Sequence, residues 1–192
     1  MTRLPPSHAA ASLSDMKKNS LQRFTEMASA RWGTLTTELA YSIRTGMEEL
    51  LEAPATEDWL SELHEDAAET RELYRDPTHG FVLLAHTESP GLYRSPHDHG
   101  TGWVIYGVQR GETEMGTYAR TEDTAGKVAL VKRDTTLIRP GQARVYLPGD
   151  IHDTRCTAGP LLLFRLTSTD LKKENVTRYA QHDGVWTDGA RS

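Results

Sequence analysis

From Phe81 onward the sequence alternates between short apolar runs and turn signals. Each run has the length and the residue types of a strand, over residues 81–86, 102–108, 112–120, 127–138, 143–147 and 161–166. Glycine or proline separates the runs, at Pro90-Gly91, Arg110-Gly111, Pro140-Gly141, Pro148-Gly149 and Gly159-Pro160. No helical pattern lies between them. The sequence therefore predicts an antiparallel barrel or jelly roll, with an edge strand near Val185-Trp186.

The first 75 residues have a helical pattern instead. Five apolar residues recur every fourth position before Pro54, which predicts one helix with a buried stripe: Leu35, Leu39, Ile43, Met47 and Leu51. A looser stripe precedes it, and Thr56 resembles the N-cap of a short third helix that continues to Leu63. We predict a mainly β fold with α-helices, comprising a flexible tail at 1–12, a helical segment at 13–75 that packs on the barrel, and a barrel domain at 76–192.

Charge and composition exclude several classes of partner. The 192 residues carry 22 Lys and Arg against 27 Asp and Glu, a net charge of −5, so no basic surface is predicted to bind nucleic acid. No apolar run approaches the roughly 20 residues of a membrane span, and the first residues lack the apolar core of a secretory signal. We therefore expect a cytoplasmic protein without membrane contact. Since Cys156 is the sole cysteine, any metal must be held by histidine or carboxylate.

Three of the eight histidines lie among turn and strand signals: His97, His99 and His152. In an extended segment residues i and i+2 point to the same face, so His97 and His99 can converge on one metal ion. A third imidazole from a distant strand would complete one face of the coordination sphere. The remaining positions would then be open to water, substrate or oxygen. Spacing alone is a weak signal, because two histidines also fall close together in loops by chance.

The surroundings of these histidines resemble the two motifs of the cupin superfamily. The first motif is matched by Gly91, five further residues, the pair His97 and His99, and Gly111, which we read as closing a hairpin. The second is matched more loosely by residues 148–152, which end at His152. The glutamate ligand of the first motif is missing, since its place falls on Trp103 or Val104. The resemblance therefore implies a double-stranded β-helix barrel with a three-histidine metal site.

Within that superfamily, a three-histidine cupin preceded by helices resembles the cysteine dioxygenase group of thiol dioxygenases. The chain is also similar to uncharacterised predicted metal-dependent proteins of the double-stranded β-helix superfamily, in His97-Asp-His-Gly-x-x-Trp103 followed by Ile-Tyr-Gly. Two features of the thiol dioxygenases are absent. Residues 161–167 stand where the Ser-x-His-x-Tyr triad is expected, and the cross-linking cysteine would fall near Val104. Cysteine itself is therefore a doubtful substrate.

Three further side chains are candidates for the catalytic site. Arg165, in an apolar strand, either faces solvent or points inward to bind an anion, and we weigh the two evenly. Arg144 and Tyr146 alternate with Val145 before Pro148, and we favour an exposed sheet face for Arg144 and Tyr146 over the cavity mouth. Tyr106 offers a phenol to a ligand or packs across strands. His86 and Cys156 are read as core residues, and Trp103 either walls the pocket or belongs to the core.

The resemblance implies a non-haem Fe(II) dioxygenase that uses O2 on a small anionic, possibly thiol-containing molecule, with Arg165 or Arg144 binding the anion. Two alternatives stay open. One is a redox-neutral lyase or isomerase that uses Zn(II), Ni(II) or Mn(II) as a Lewis acid. The other is a non-catalytic cupin that binds a small molecule. A homodimer is compatible with the sequence.

Overall fold

A computed structural model of the chain describes residues 18–66, 68–124, 126–182 and 185–188. Three helices come first, namely α1 (Ser20–Arg31), α2 (Thr37–Leu51) and α3 (Asp58–Glu65). Nine strands follow: β1 (Thr70–Arg75), β2 (Val82–Glu88), β3 (Tyr93–His97), β4 (Val104–Glu122), β5 (Val128–Ile138), β6 (Ala143–Tyr146), β7 (Ile151–Thr167), β8 (Tyr179–His182) and β9 (Val185–Asp188). The mainly β fold with N-terminal helices is confirmed. The predicted tail, 1–12, lies outside the described residues.

Side chains fix where the helices begin. Asn19 caps α1 in a reciprocal pair with Gln22, and Thr36 caps α2 by accepting from the Leu39 amide. The prediction of Thr56 as the third N-cap is wrong. The cap residue is Glu57, whose carboxylate makes no cap bond and instead accepts from the Ser20 amide at 2.9 Å, so it ties α3 to the start of α1.

The helical segment is shorter than the predicted 13–75. The last helix ends at Glu65, and the six residues of β1 pair antiparallel with β2, from Thr70 opposite His86 to Arg75 opposite Val82. This strand is polar and only half-buried, so no apolar run reveals it in the sequence. Pairing with β2 determines its conformation.

Seven strands form one antiparallel sheet in the order β1-β2-β7-β4-β5, with β3 paired to β7 and β6 paired to β4. β4 and β7 are long, and they pair with each other along both halves. The predicted edge strand near Val185 is present, but β9 pairs with β8 in a separate two-stranded sheet.

Two of the predicted turns lie inside strands. Gly111 does not close a hairpin, because β4 continues through it, and Gly159-Pro160 likewise lies within β7. Register shifts between β4 and β7 surround Gly111, so the glycine marks a bulge. Its φ is +81°, and a Cβ there would lie 2.5 Å from the Ala158 carbonyl oxygen. Only glycine fits this close approach of the two strands.

The helices cover one face of the sheet. The stripe predicted on α2 is buried there, with Ile43 and Met47 packed in the same core as Phe81 and Leu83. α2 approaches β4 so closely that a Cβ on Gly107 would lie 2.9 Å from Leu51 Cδ1. The opposite face of the same strands lines the interior, so β2 turns Leu83 to the helices and its neighbours Val82 and Leu84 inward.

Candidate metal centre

The three predicted histidines meet at one point of the interior, and we call them the histidine cluster: His97, His99 and His152. His97 ends β3, His99 follows two residues later, and His152 lies near the start of β7, directly opposite His97 in the strand pairing. One ring nitrogen from each lies within 4.8 Å of the others. The ring centroids are 4.7 to 5.1 Å apart. The predicted convergence is therefore present.

Three nitrogens of the cluster lack, among the described residues, the partners that buried polar atoms normally have. His97 Nδ1 donates to the Ser95 carbonyl at 2.8 Å, which leaves its Nε2 as the lone-pair atom. His99 Nδ1 and both ring nitrogens of His152 are buried without a hydrogen-bond partner in the described part of the chain. Unpartnered buried polar atoms are costly, and metal coordination satisfies the nitrogen of each ring that carries a lone pair. The donor set fits a divalent metal that accepts imidazole.

Burial also holds these imidazoles in the neutral form that binds metal. Desolvation lowers the pKa of His97, lowers that of His99 to about 3, and lowers that of His152 further below its usual value. The other imidazoles and Arg165 act in the same direction, since each positive charge disfavours another nearby. His152 has no exposed surface, so it lies deepest in the cluster.

Two tyrosines pack against the cluster. Tyr106 places its hydroxyl 3.2 Å from His99 Nε2, and burial raises the pKa of Tyr106. Tyr146 stacks on the His152 ring with centroids 4.1 Å apart, and its hydroxyl donates to Met115 Sδ. The exposed sheet face favoured for Arg144 and Tyr146 is wrong for Tyr146, which is buried. β6 pairs with β4, and this pairing turns Tyr146 inward.

The strand that carries His152 is anchored by its neighbour. Asp153 points to the other side of β7 and accepts from the Gly116 amide at 2.7 Å and from the hydroxyls of Tyr118 at 2.6 Å and Tyr93 at 3.0 Å. These bonds join β3, β4 and β7 around one buried carboxylate. They restrain the backbone that places both His97 and His152.

A cavity of about 740 Å³ leads to the cluster. His97, His99, Tyr106 and Arg165 line its inner end. Arg165 therefore takes the inward of its two predicted orientations. It is opposite Tyr106 in the β4–β7 pairing, and its guanidinium lies near enough to lower the pKa of Tyr106 against the effect of burial. Arg144 does not line the cavity, and its guanidinium donates to the Ala143 carbonyl.

Basic side chains outnumber acidic ones along the cavity wall. The basic residues are Arg75, Arg94, Arg165, Lys172 and Arg178, and the acidic ones are Glu72, Glu88 and Asp170. Arg75 pairs with Glu72 and Asp170, and Arg94 pairs with Glu88. Within the described residues this leaves three cations without an ion pair. The cavity thus carries a positive charge suited to an anion.

Sequence reasoning missed the wall formed by β2. His86 and Glu88 both line the cavity, whereas the sequence predicts a core position for His86. Two polar residues at alternate positions at the end of an apolar strand were the signal available. Two other residues left open or assigned to the core by the sequence, Trp103 and Cys156, lie in the core. Trp103 stacks on Trp32 beneath the helices, and Cys156 is buried among apolar side chains with its pKa raised by burial.

No protein-family model matches the sequence, and no curated protein matches it. Several solved structures share part of the fold. KdgF from Halomonas sp. is 17% identical with a TM-score of 0.40, over 51% of this chain and 74% of that one. The Cnp3 cupin domain of Schizosaccharomyces pombe is 10% identical with a TM-score of 0.41, over 54% and 66%. Oxalate oxidase in complex with the substrate analogue glycolate is 17% identical with a TM-score of 0.39, over 53% and 51%.

These likenesses cover about half of this chain, and at these TM-scores they carry no argument about its activity. The Cnp3 domain is a cupin by name, and the cysteine dioxygenase group stays a prediction for this chain. Among the described residues no helix is both long enough and apolar enough to cross a membrane.

Proposed function

We propose that this protein is a metal-dependent cupin enzyme, a non-haem Fe(II) dioxygenase that acts on a small anionic molecule. One observation supports the proposal above the others, namely that three buried imidazoles converge beside a positively charged cavity, with nitrogens of His99 and His152 left without a hydrogen-bond partner in the described residues. Neutral imidazoles leave the full charge of a divalent ion to attract an anion. Fe(II) bound there would supply open coordination positions and one-electron chemistry for O2.

The chain's own residues would bind and orient the substrate. Arg165 lies beside the cluster without an ion pair in the described residues, and its buried Nε has no hydrogen-bond partner. Its planar guanidinium is matched to a carboxylate. Tyr106 holds a hydroxyl next to His99 at the same end, and burial keeps that phenol protonated, so it can donate to a bound ligand. Arg144 lies opposite Tyr106 in the β4–β6 pairing but does not line the cavity, so the proposal assigns the anion to Arg165.

Oxygen uptake by the Fe(II)-loaded protein tests the proposal. The screen would cover thiol carboxylates, amino acids and hydroxy acids, with cysteine included. We expect substrate-dependent uptake on a compound that presents a carboxylate and a second heteroatom, with weak uptake or none on cysteine. His152→Ala should abolish uptake together with stoichiometric metal binding. Metal binding without uptake on any compound would contradict the dioxygenase assignment.

A redox-neutral lyase or isomerase is the second candidate, and one observation favours it. The cavity that holds the cluster also holds Tyr106 and Glu88, a phenol and a carboxylate of the kind that serves acid and base catalysis. In this case Zn(II), Ni(II) or Mn(II) would act as a Lewis acid. Turnover under strict anaerobiosis with Zn(II) would support this candidate and refute the first. Binding without turnover under either condition would leave a binding protein.

The remaining proposals concern the protein's surroundings. We propose a cytoplasmic location, a small-molecule substrate with O2 as co-substrate, and no contact with nucleic acid or membrane. They agree with the net charge of −5 and the absence of disulfide-forming cysteine pairs in the sequence. A homodimer is tested by the mass of the protein in solution.

A further inference from the structure

The wall of the cavity formed by β2 carries two buried polar atoms that no group in the described part of the chain satisfies. His86 is 7% exposed and Glu88 is 3% exposed, and both line the cavity. His86 Nε2 and Glu88 Oε2 have no hydrogen-bond partner in the described residues. Buried polar atoms are rarely left unpaired, so two on adjacent inward positions of one strand indicate a ligand.

The hydrogen bonds around His86 determine which atom faces the ligand. Its Nδ1 lies 2.9 Å from Thr70 Oγ1, and a bond from the ring to the Glu69 carbonyl opposes the burial that lowers the pKa of His86 to about 3. A ring that donates to a carbonyl carries its proton on that side. We assign the proton to Nδ1, the partnered nitrogen, so that the unpartnered Nε2 presents a lone pair.

Glu88 likewise has a hydrogen-bond partner at only one of its two carboxylate oxygens within the described residues. Arg94 contacts the same carboxylate oxygen, Oε1, through Nε and through a terminal nitrogen, each at 3.0 Å. The ion pair fixes the carboxylate and leaves Oε2 as a free acceptor. The subsite therefore presents acceptors to the cavity, and it calls for a ligand group that donates.

Charge decides between the two kinds of donor, hydroxyl and ammonium. Arg94 neutralises Glu88, and His86 is neutral. Arg165 and Arg94 both lie near enough to His86 to disfavour a positive charge there. An ammonium group would meet the same repulsion, whereas a hydroxyl would not. The environment thus favours neutral O–H donors.

We infer that β2 forms a second subsite that binds hydroxyl groups of a hydroxylated carboxylic acid through His86 Nε2 and Glu88 Oε2. The inference rests on the proposed function in one respect, since the carboxylate of that ligand faces the histidine cluster and Arg165. Leu84 lies opposite Arg165 in the β2–β7 pairing, and His86 and Glu88 follow on the same face, so the subsite extends from Arg165 along β2. The ligand is a chain with its carboxylate at one end and hydroxyls along its length.

The test compares two probes, gluconate and 2-hydroxyhexanoate. Both are six-carbon acids with a hydroxyl next to the carboxylate, so contacts at the cluster and at Arg165 are shared. Only the distal hydroxyls differ. Binding is measured by titration calorimetry on the Zn(II)-loaded protein, which is inert to oxygen. We expect gluconate to bind about tenfold more tightly, the effect of one or two hydrogen bonds to otherwise unpaired buried atoms.

Two variants and a matched control assign the preference to the subsite. His86→Phe removes one acceptor, and Glu88→Gln keeps the size and an oxygen for Arg94 while it replaces the free acceptor with a donor. Each should lower the ratio of the two affinities several-fold. Glu72→Gln alters another carboxylate of the same cavity, paired with Arg75, and should leave the ratio unchanged.

The outcomes separate this inference from the proposed function. A ratio near one in the parent protein, a ratio unchanged in both folded variants, or no binding of either probe at millimolar concentration would overturn the subsite. If the parent protein instead binds no metal and still prefers gluconate, that result would refute the proposed metal enzyme and leave the subsite standing.

Discussion

Acid should destabilise the metal-free protein well before its carboxylates titrate. Burial lowers the pKa values of His86 and His99 to about 3, whereas an unfolded histidine titrates near 6.5. Between these values the unfolded state binds more protons than the folded state, so protons favour unfolding. The stabilising effect of the neutral rings is therefore complete above pH 6.5 and is lost progressively as the pH falls toward 3.

The pKa shifts set the magnitude. Between pH 7.5 and pH 5.0 an unfolded histidine binds nearly a full proton, whereas the folded ring stays neutral. The free energy of unfolding therefore falls by about 2 kcal/mol for each such residue. His86 and His99 together cost roughly 4 kcal/mol, a large part of the usual stability of a domain. His97 and His152 act with the same sign. Carboxylates with lowered pKa values, such as Glu57, titrate below this window.

Urea unfolding of chelator-treated protein, followed by tryptophan fluorescence at the two pH values, measures the loss. His86→Gln removes one titrating ring and should recover about half of the calculated difference, or about 2 kcal/mol. His79→Gln is the matched control, because it replaces an exposed histidine instead of a buried one. The reasoning is refuted if the free energy of unfolding of the parent protein is the same at both pH values.

Three further predictions concern single side chains. His152→Ala should abolish stoichiometric metal binding, measured by elemental analysis, while circular dichroism shows the fold intact; full metal retention would remove this residue from the site. Arg165→Leu should weaken binding of an anionic ligand about tenfold or more at unchanged metal content, and equal affinity in parent and variant would exclude the guanidinium from the anion site. Gly107→Ala should lower the free energy of unfolding by about 1 to 3 kcal/mol, since its Cβ would lie 3.0 Å or less from side-chain atoms of Met47 and Leu51. An unchanged midpoint of urea unfolding would show that α2 shifts to accommodate the methyl group.

The histidine cluster was predictable because the decisive information is local. His97 and His99 lie two residues apart in an extended segment, and the turn before His152 marks the start of its strand. The same local signals were misleading at Gly111. A glycine with positive φ serves a hairpin turn and a bulge equally well, and only the pairing of β4 with β7 on both sides of it distinguishes the two.

The β2 wall was not predictable for a different reason. The first four residues of β2 are all apolar, so they do not reveal which face is the interior. Which face is interior depends on the helices. Leu83 and Ala85 pack against them, so His86 and Glu88 face the cavity. Arg165 was undecided in the sequence for the same reason, and its pairing with Leu84 and Tyr106 places it inside.

The alternation along β2 also limits how this chain can change length. Insertion or deletion of one residue within β2 would exchange its two faces, which would bury polar side chains under the helices and turn Leu83 into the cavity. Such a change would destroy the core and the cavity wall together. Length variation in relatives should therefore accumulate in the turn after Glu88, while ligand preference diverges by point substitution at residues 84, 86 and 88.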